Sequence, residues 1–188
     1  MTMAEQRAFR VMVVCTGNIS RSPVVQHLLA NDLADGSLEV TSAGTHAVVG
    51  APIDPPMGEL LAGIGIDSSA FRARQLQSYH LTDIDLVLGL TREHRSAAVR
   101  LEPSVVRKSF TLHEFVRILP TAGHFFGKTI GERLQSATDA AALARMRVPP
   151  TRPADDDVID PYGAPIQVYR RVFAEVYDAV AEIAKAVA

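Results

Sequence analysis

Short apolar runs alternate along the chain with stretches in which apolar residues recur every three or four positions, the periods of strands and of amphipathic helices. The run Val11-Met12-Val13-Val14 predicts a strand over 9–15. Over 23–33, Val24, Val25, Leu28 and Leu29 fall on one helical face, and Asp35-Gly36 ends the helix. Further on, the pattern predicts a strand over 37–42, a helix over 56–63 that stops before Gly65, a buried strand over 83–90 and a helix over 92–101. A fourth strand is expected over 105–110, then a short helix over 112–119 started by Thr111 with Glu114 as a capping box. Residues 130–146 are helix-like and alanine-rich, and Val148-Pro149-Pro150-Thr151-Arg152-Pro153 reads as stiff and extended. A long amphipathic helix over 166–187 carries Val168, Val172, Val176, Val180 and Ile183 at near-helical spacing. Such β-α alternation predicts an α/β fold, a three-layer, doubly wound, four-stranded parallel sheet with helices on both faces and its site at the carboxyl ends of the strands.

Composition narrows the function classes. With 188 residues and 47% hydrophobic content, residues 1–188 read as a single domain with a sizeable core. A net charge of −2 gives no basic footprint for nucleic acid, and no apolar run approaches the roughly 20 residues of a membrane span. The first ten residues lack the apolar core of a signal peptide, so a cytoplasmic protein is expected. The 6 histidines, His27, His46, His80, His94, His113 and His124, have no metal-ligand spacing and read as surface or capping residues. Neither a metal nor another cofactor is expected.

The 1 cysteine of the chain, Cys15, excludes an intrachain disulfide and stands where the first strand ends. It opens the run Cys15-Thr16-Gly17-Asn18-Ile19-Ser20-Arg21-Ser22-Pro23. A strand that passes through a small-residue loop into a helix leaves backbone N–H groups pointing into one concavity, which makes a phosphate-binding loop at the end of strand 1. Arg21 adds a planar, two-pronged cation, and cation and helix N-terminus together favour a thiolate nucleophile at Cys15. Gly17 allows close backbone approach or positive φ, Asn18 tolerates the left-handed region, and Pro23 suits a first helical turn. Ser22 is placed to cap the helix or to donate its hydroxyl to the sulfur.

This segment resembles the active-site loop of the low-molecular-weight protein tyrosine phosphatase family, Cys-x-Gly-Asn-x-Cys-Arg-Ser-Pro, in its bacterial branch. Thr41-Ser42-Ala43-Gly44-Thr45, Arg72-Ala73-Arg74-Gln75-Leu76, Asp85-Leu86-Val87-Leu88 and Asp160-Pro161-Tyr162-Gly163 resemble further family segments. The resemblance implies a phosphoric monoester hydrolase in which Cys15 attacks phosphorus, Arg21 holds the phosphoryl oxygens and Asp160 is the general acid. It implies substrate contacts from Thr16, Gly17, Asn18, Ile19, Ser20 and Ser22, with Val48 and Tyr162 on the cleft walls and His46 beside them. The implied substrate is a phosphotyrosine-containing protein, with a bacterial tyrosine kinase as a candidate.

Where the chain departs from the family, other readings open. Ser20 replaces a second cysteine, Phe71 stands where some members carry a histidine that supports Asn18, and Thr91 replaces a frequent aspartate. Ser42 remains available to support Asn18. Protein-arginine phosphatases of this family share the threonine after strand 3 but carry threonine at the position of Ile19, so Ile19 favours phosphotyrosine. A single-cysteine, thiol-cofactor-dependent arsenate reductase and a non-catalytic phosphate-binding regulator are the remaining alternatives. The run Asp155-Asp156-Asp157 reads as solvated loop. Relative to the family, about 119–155 is an insertion before the acid loop, either a lid or partner-docking element or an elaboration packed on the sheet.

Overall fold

The computed structural model describes residues 7–149 and 152–188. Within them, β1 (Phe9–Cys15), β2 (Leu38–Gly44), β3 (Leu86–Gly89) and β4 (Ser109–Thr111) form one parallel sheet in the order β2-β1-β3-β4. The helices are α1 (Arg21–Asp32), α2 (Pro55–Gly63), α3 (Arg92–Leu101), α4 (Leu112–Ala122), α5 (Ile130–Ala144) and α6 (Ile166–Val187). Alternation along β1 divides the core. Val11, Val13 and Cys15 pack with Leu28 of α1, Phe115 of α4 and Val176 of α6, whereas Met12 and Val14 face Ala98 of α3. Because β1 has β2 on one side and β3 on the other, a crevice opens at its carboxyl end, where the loop after Cys15 begins.

The expected alternation holds, and α3 and α6 keep their expected bounds. The fourth strand is corrected. Residues Pro103–Lys108 form a 3₁₀ turn, because Pro103 opens a helical start and the Glu102 carboxylate accepts the Ser104 N–H at 3.2 Å. Only Ser109–Thr111 pair as β4. β3 is shorter than expected because the Asp85 carboxylate turns to the Arg10 N–H (2.8 Å) and the Arg7 guanidinium (2.7 Å). α4 runs through Pro120 in its last turn and ends at Gly123, whose φ of 98° is costly for other residues.

Of the segment read as an insertion, α5 is packed on the body of the protein and not over the crevice. Leu134, Ala137 and Ala141 of α5 are buried in the core. The helix begins where Asp35 and Ser37 accept the N–H groups of Ile130 (2.6 Å) and Gly131 (2.8 Å), beside the start of β2. It ends where Arg145 Nη2 donates to Ser109 O at the start of β4 (2.6 Å), so α5 crosses the amino end of the sheet, opposite the crevice. Of the stretch expected to be extended, Val148 and Arg152 have extended backbone, 150–151 lie outside the described residues, and Pro153 opens a 3₁₀ turn, Pro153–Asp156. Among the described residues no helix is long and apolar enough to cross a membrane.

Candidate active site

The loop at the end of β1 is held from behind so that its amides face the crevice. Its carbonyls point outward and are taken: Thr16 O by His46 N (2.9 Å), Gly17 O by Val48 N (3.0 Å) and Ile19 O by Asp54 N (2.7 Å). Among the described residues, no acceptor takes the backbone N–H groups of residues 16–20. Left-handed backbone occurs at Asn18, with φ of 54°, rather than at Gly17. Asn18 holds that conformation with three hydrogen bonds: Nδ2 donates to Ser42 Oγ (2.8 Å) and Ser22 Oγ (3.0 Å), and Oδ1 accepts from Arg74 N (2.9 Å). The close approach falls at Gly44 instead, where a Cβ would lie 2.4 Å from Thr16 O. Ser42 and the Arg74 amide thus do the work that a histidine at the position of Phe71 would share.

A cavity of about 160 Å³ lies over this loop, lined by Cys15, Thr16, Gly17, Ile19, Ser20, Arg21, Val48, Asp160 and Tyr162. Asn18 and Ser22 are not on its wall. Both are fully buried and act from behind, Ser22 Oγ lying 2.9 Å from Cys15 Sγ. α1 starts at Arg21, and Ser20 precedes it with no capping bond from its side chain. The Ser20 hydroxyl and Arg21 Nε are buried without hydrogen-bond partners among the described residues, two donors on residues that line the same cavity as the thiol. His46 lies outside the cavity, exposed, and of the segment around it only Val48 reaches the wall.

Asp160 comes from the loop before α6, 145 residues after Cys15 (160 − 15). Val158 N donates to Leu90 O (2.8 Å), continuing the line of β3, and Val158 O accepts from Arg21 Nη1 (2.9 Å). Arg21 Nη2 then meets Asp160 Oδ2 at 2.7 Å, the guanidinium buried and the carboxylate half-exposed. The acidic run before this loop is not simply solvated. Asp156 pairs with Arg117, Asp157 accepts the Arg92 N–H (2.7 Å) and Asp155 pairs with Arg152 (2.9 Å).

One participant was hidden in the sequence. His94, read there as a surface or capping residue, is 5% exposed, with Nδ1 2.9 Å from Thr91 Oγ1 and Nε2 2.9 Å from Thr16 Oγ1. Arg21 Nη2 donates to that same Thr16 hydroxyl (3.4 Å). Burial first, and then the charge of Arg21, push the His94 pKa down from 6.5 to about 4, so a neutral ring supports the loop at neutral pH. The available signal was Thr91 three residues upstream, at the start of α3, which turns His94 back toward the cap.

A thiol, an arginine and a set of unsatisfied amides around one small cavity suit attack on a phosphoryl group. Comparison with known proteins agrees. The family model for low molecular weight phosphotyrosine protein phosphatase matches residues 10–122. A protein-arginine-phosphatase of Geobacillus stearothermophilus is 32% identical over 162 residues, covering 86% of this chain and 84% of its own length. The low molecular weight protein-tyrosine-phosphatase Etp of Escherichia coli K12 is 31% identical over 114 residues, 61% of this chain and 76% of Etp. Among solved structures, the YwlE arginine phosphatase from Geobacillus stearothermophilus matches with a TM-score of 0.69 at 29% identity, covering 94% of this chain and 91% of that one. The chain belongs to the low molecular weight phosphotyrosine protein phosphatase family and is a phosphoric monoester hydrolase.

Proposed function

We propose that the protein hydrolyses phosphotyrosine in protein substrates through a cysteinyl-phosphate intermediate. The observation that carries this reading is the cavity itself: Cys15 and Arg21 at its floor, Asp160 at its rim, and Ile19, Val48 and Tyr162 as walls for an aromatic ring. A phosphate dianion seated on the loop competes with Asp160 for Arg21, which frees the carboxyl to face the leaving oxygen. Cys15 Sγ attacks phosphorus, the bond to the phenolic oxygen breaks, and Asp160 gives that oxygen a proton. Water then attacks phosphorus, Asp160 takes its proton, the P–S bond breaks and orthophosphate leaves. Arg21 and the amides of residues 16–20 stabilise the charge on the equatorial oxygens in both steps. A tyrosine kinase of a bacterial cell fits as substrate, and a cytoplasmic setting agrees with an active site built on a free thiol.

The test is a pre-steady-state burst of p-nitrophenol from p-nitrophenyl phosphate, present in the native chain and gone in Cys15→Ser. A native chain without turnover would falsify the reading.

Phosphoarginine is the second reading, favoured by the name of the Geobacillus relative and by Thr91. Ile19 argues against it, since its own side chain is alkyl and adds no hydroxyl to those of Thr16 and Ser20 on the cavity wall. Wild type should turn over phosphotyrosine peptides at least about tenfold faster than phosphoarginine peptides, and Ile19→Thr should narrow that ratio. The reverse preference in wild type would make the chain an arginine phosphatase.

A further inference from the structure

Four buried side-chain polar atoms lack a hydrogen-bond partner among the described residues. Two, Ser20 Oγ and Arg21 Nε, mark the catalytic loop, and the other two, Arg117 Nε and Arg145 Nε, mark a second place at the β4 edge. There a cavity of about 350 Å³ is lined by Arg92 and Arg95 of α3, Arg117 of α4 and Arg145 just after α5, with Glu114 and Asp156 as the carboxylates on its wall. Arg117 pairs with Asp156. Arg145 pairs with Glu114, Nη2 donating to Oε2 (3.2 Å) and Nε lying 2.8 Å from Oε1 without a hydrogen bond of its own. Among the described residues no carboxylate pairs with the side chain of Arg92 or Arg95. Arg95 Nε and Arg145 Nη2 both donate to one carbonyl, Ser109 O, at 2.8 and 2.6 Å, so two guanidiniums crowd together. Burial, with Arg95 adding to it, holds the Arg145 pKa below its ordinary value even beside Glu114. Such a cluster gathers like charges at close range and presents forked donors with too few acceptors, a combination that an oxyanion relieves.

We propose that this cavity is a second anion site, which takes a phosphate-class oxyanion, orthophosphate or pyrophosphate, through Arg92, Arg95 and Arg117. The anion competes with Asp156 for Arg117. Asp156 lies two residues before Val158, the residue that ties the acid loop to Leu90 and Arg21, so occupancy reaches Asp160 through a few bonds of backbone. This link to turnover rests on the proposed role of Asp160, whereas binding at the site does not.

Binding equivalents of pyrophosphate, counted by calorimetry with orthophosphate in parallel, test the site. The native chain should bind two, Cys15→Ser/Arg21→Ala one, and Arg92→Ala/Arg95→Gln one. Arg92→Glu, at an exposed position in the first turn of α3, should weaken the second equivalent at least about tenfold. A single equivalent in the native chain that disappears in Cys15→Ser/Arg21→Ala overturns the site. With p-nitrophenyl phosphate, pyrophosphate should lower kcat and raise KM in the native enzyme but only raise KM in Arg92→Glu. A purely competitive pattern in the native enzyme overturns the link to the acid loop. Because the count of equivalents needs no turnover, a chain that fails the burst assay would refute the proposed catalysis and leave this site standing.

Discussion

His94 bridges two threonine hydroxyls in a setting where a positive charge is disfavoured. Its folded pKa, about 4, lies below the ordinary 6.5, so the folded state resists protonation and the unfolded state does not. The stability due to this residue is therefore fully present above pH 6.5 and is lost as pH falls toward 4. Between pH 7 and pH 4.5 the loss amounts to about 2 kcal/mol. In urea titrations at those two pH values, His94→Gln should lose less stability than wild type by about that amount. Equal losses would mean that the ring is not held neutral. The sequence signals for His94 and Cys15 differ for a physical reason. Cys15 is marked by a run of neighbours that all serve one loop, whereas His94 sits among Arg92, Glu93 and Arg95, a stretch that reads as solvated because burial by a distant loop leaves no local pattern.

Tyr169, in the first turn of α6, ties the loop that carries Asp160 to Asp54 and, through it, to the loop after β1. Its hydroxyl donates to Asp54 Oδ2 (2.5 Å) and accepts from Gly163 N (3.2 Å), while Asp54 N holds Ile19 O. Burial first, and then the bond to Asp54, push the Tyr169 pKa up to about 12, so the hydroxyl remains a donor throughout the neutral range. We expect Tyr169 to be a positioning residue for the acid loop. In Tyr169→Phe, kcat should fall about tenfold for aryl phosphates with poor leaving groups and change less than about twofold for good ones, because under the proposed mechanism only the former need the proton from Asp160. A uniform fall across the series would point to damage in the phosphate loop instead. β4 carries a related lesson. The pair Val105-Val106 suggested a strand, yet Pro103 and the Glu102 carboxylate settle those residues into a 3₁₀ turn, a case of local capping outweighing apolar content.

At the scale of the whole molecule, the layers were legible because β1 is one apolar run and α6 carries a clean helical periodicity, and the loop was legible because its chemistry is contiguous. The path of the inserted segment was not. α5 has short alanine-rich turns that suit either a lid or a packed helix, and its anchors, Asp35 and Ser37, lie 95 and 94 residues away from the amides they accept. Because α5 crosses the end of the sheet opposite the cavity, Leu134→Ala should lower stability by about 2–5 kcal/mol in urea titrations while leaving kcat/KM on p-nitrophenyl phosphate within about twofold. A selective loss of activity at unchanged stability would return the segment to the role of a lid. The serine at position 20 has a consequence of another kind. With no second thiol to trap a sulfenic acid as a disulfide, peroxide carries Cys15 on to sulfinic acid, which dithiothreitol does not reverse. Activity remaining after a peroxide pulse and then reductant should track the total dose received, so the enzyme behaves as a fuse that is replaced by synthesis, not as a switch that is reset.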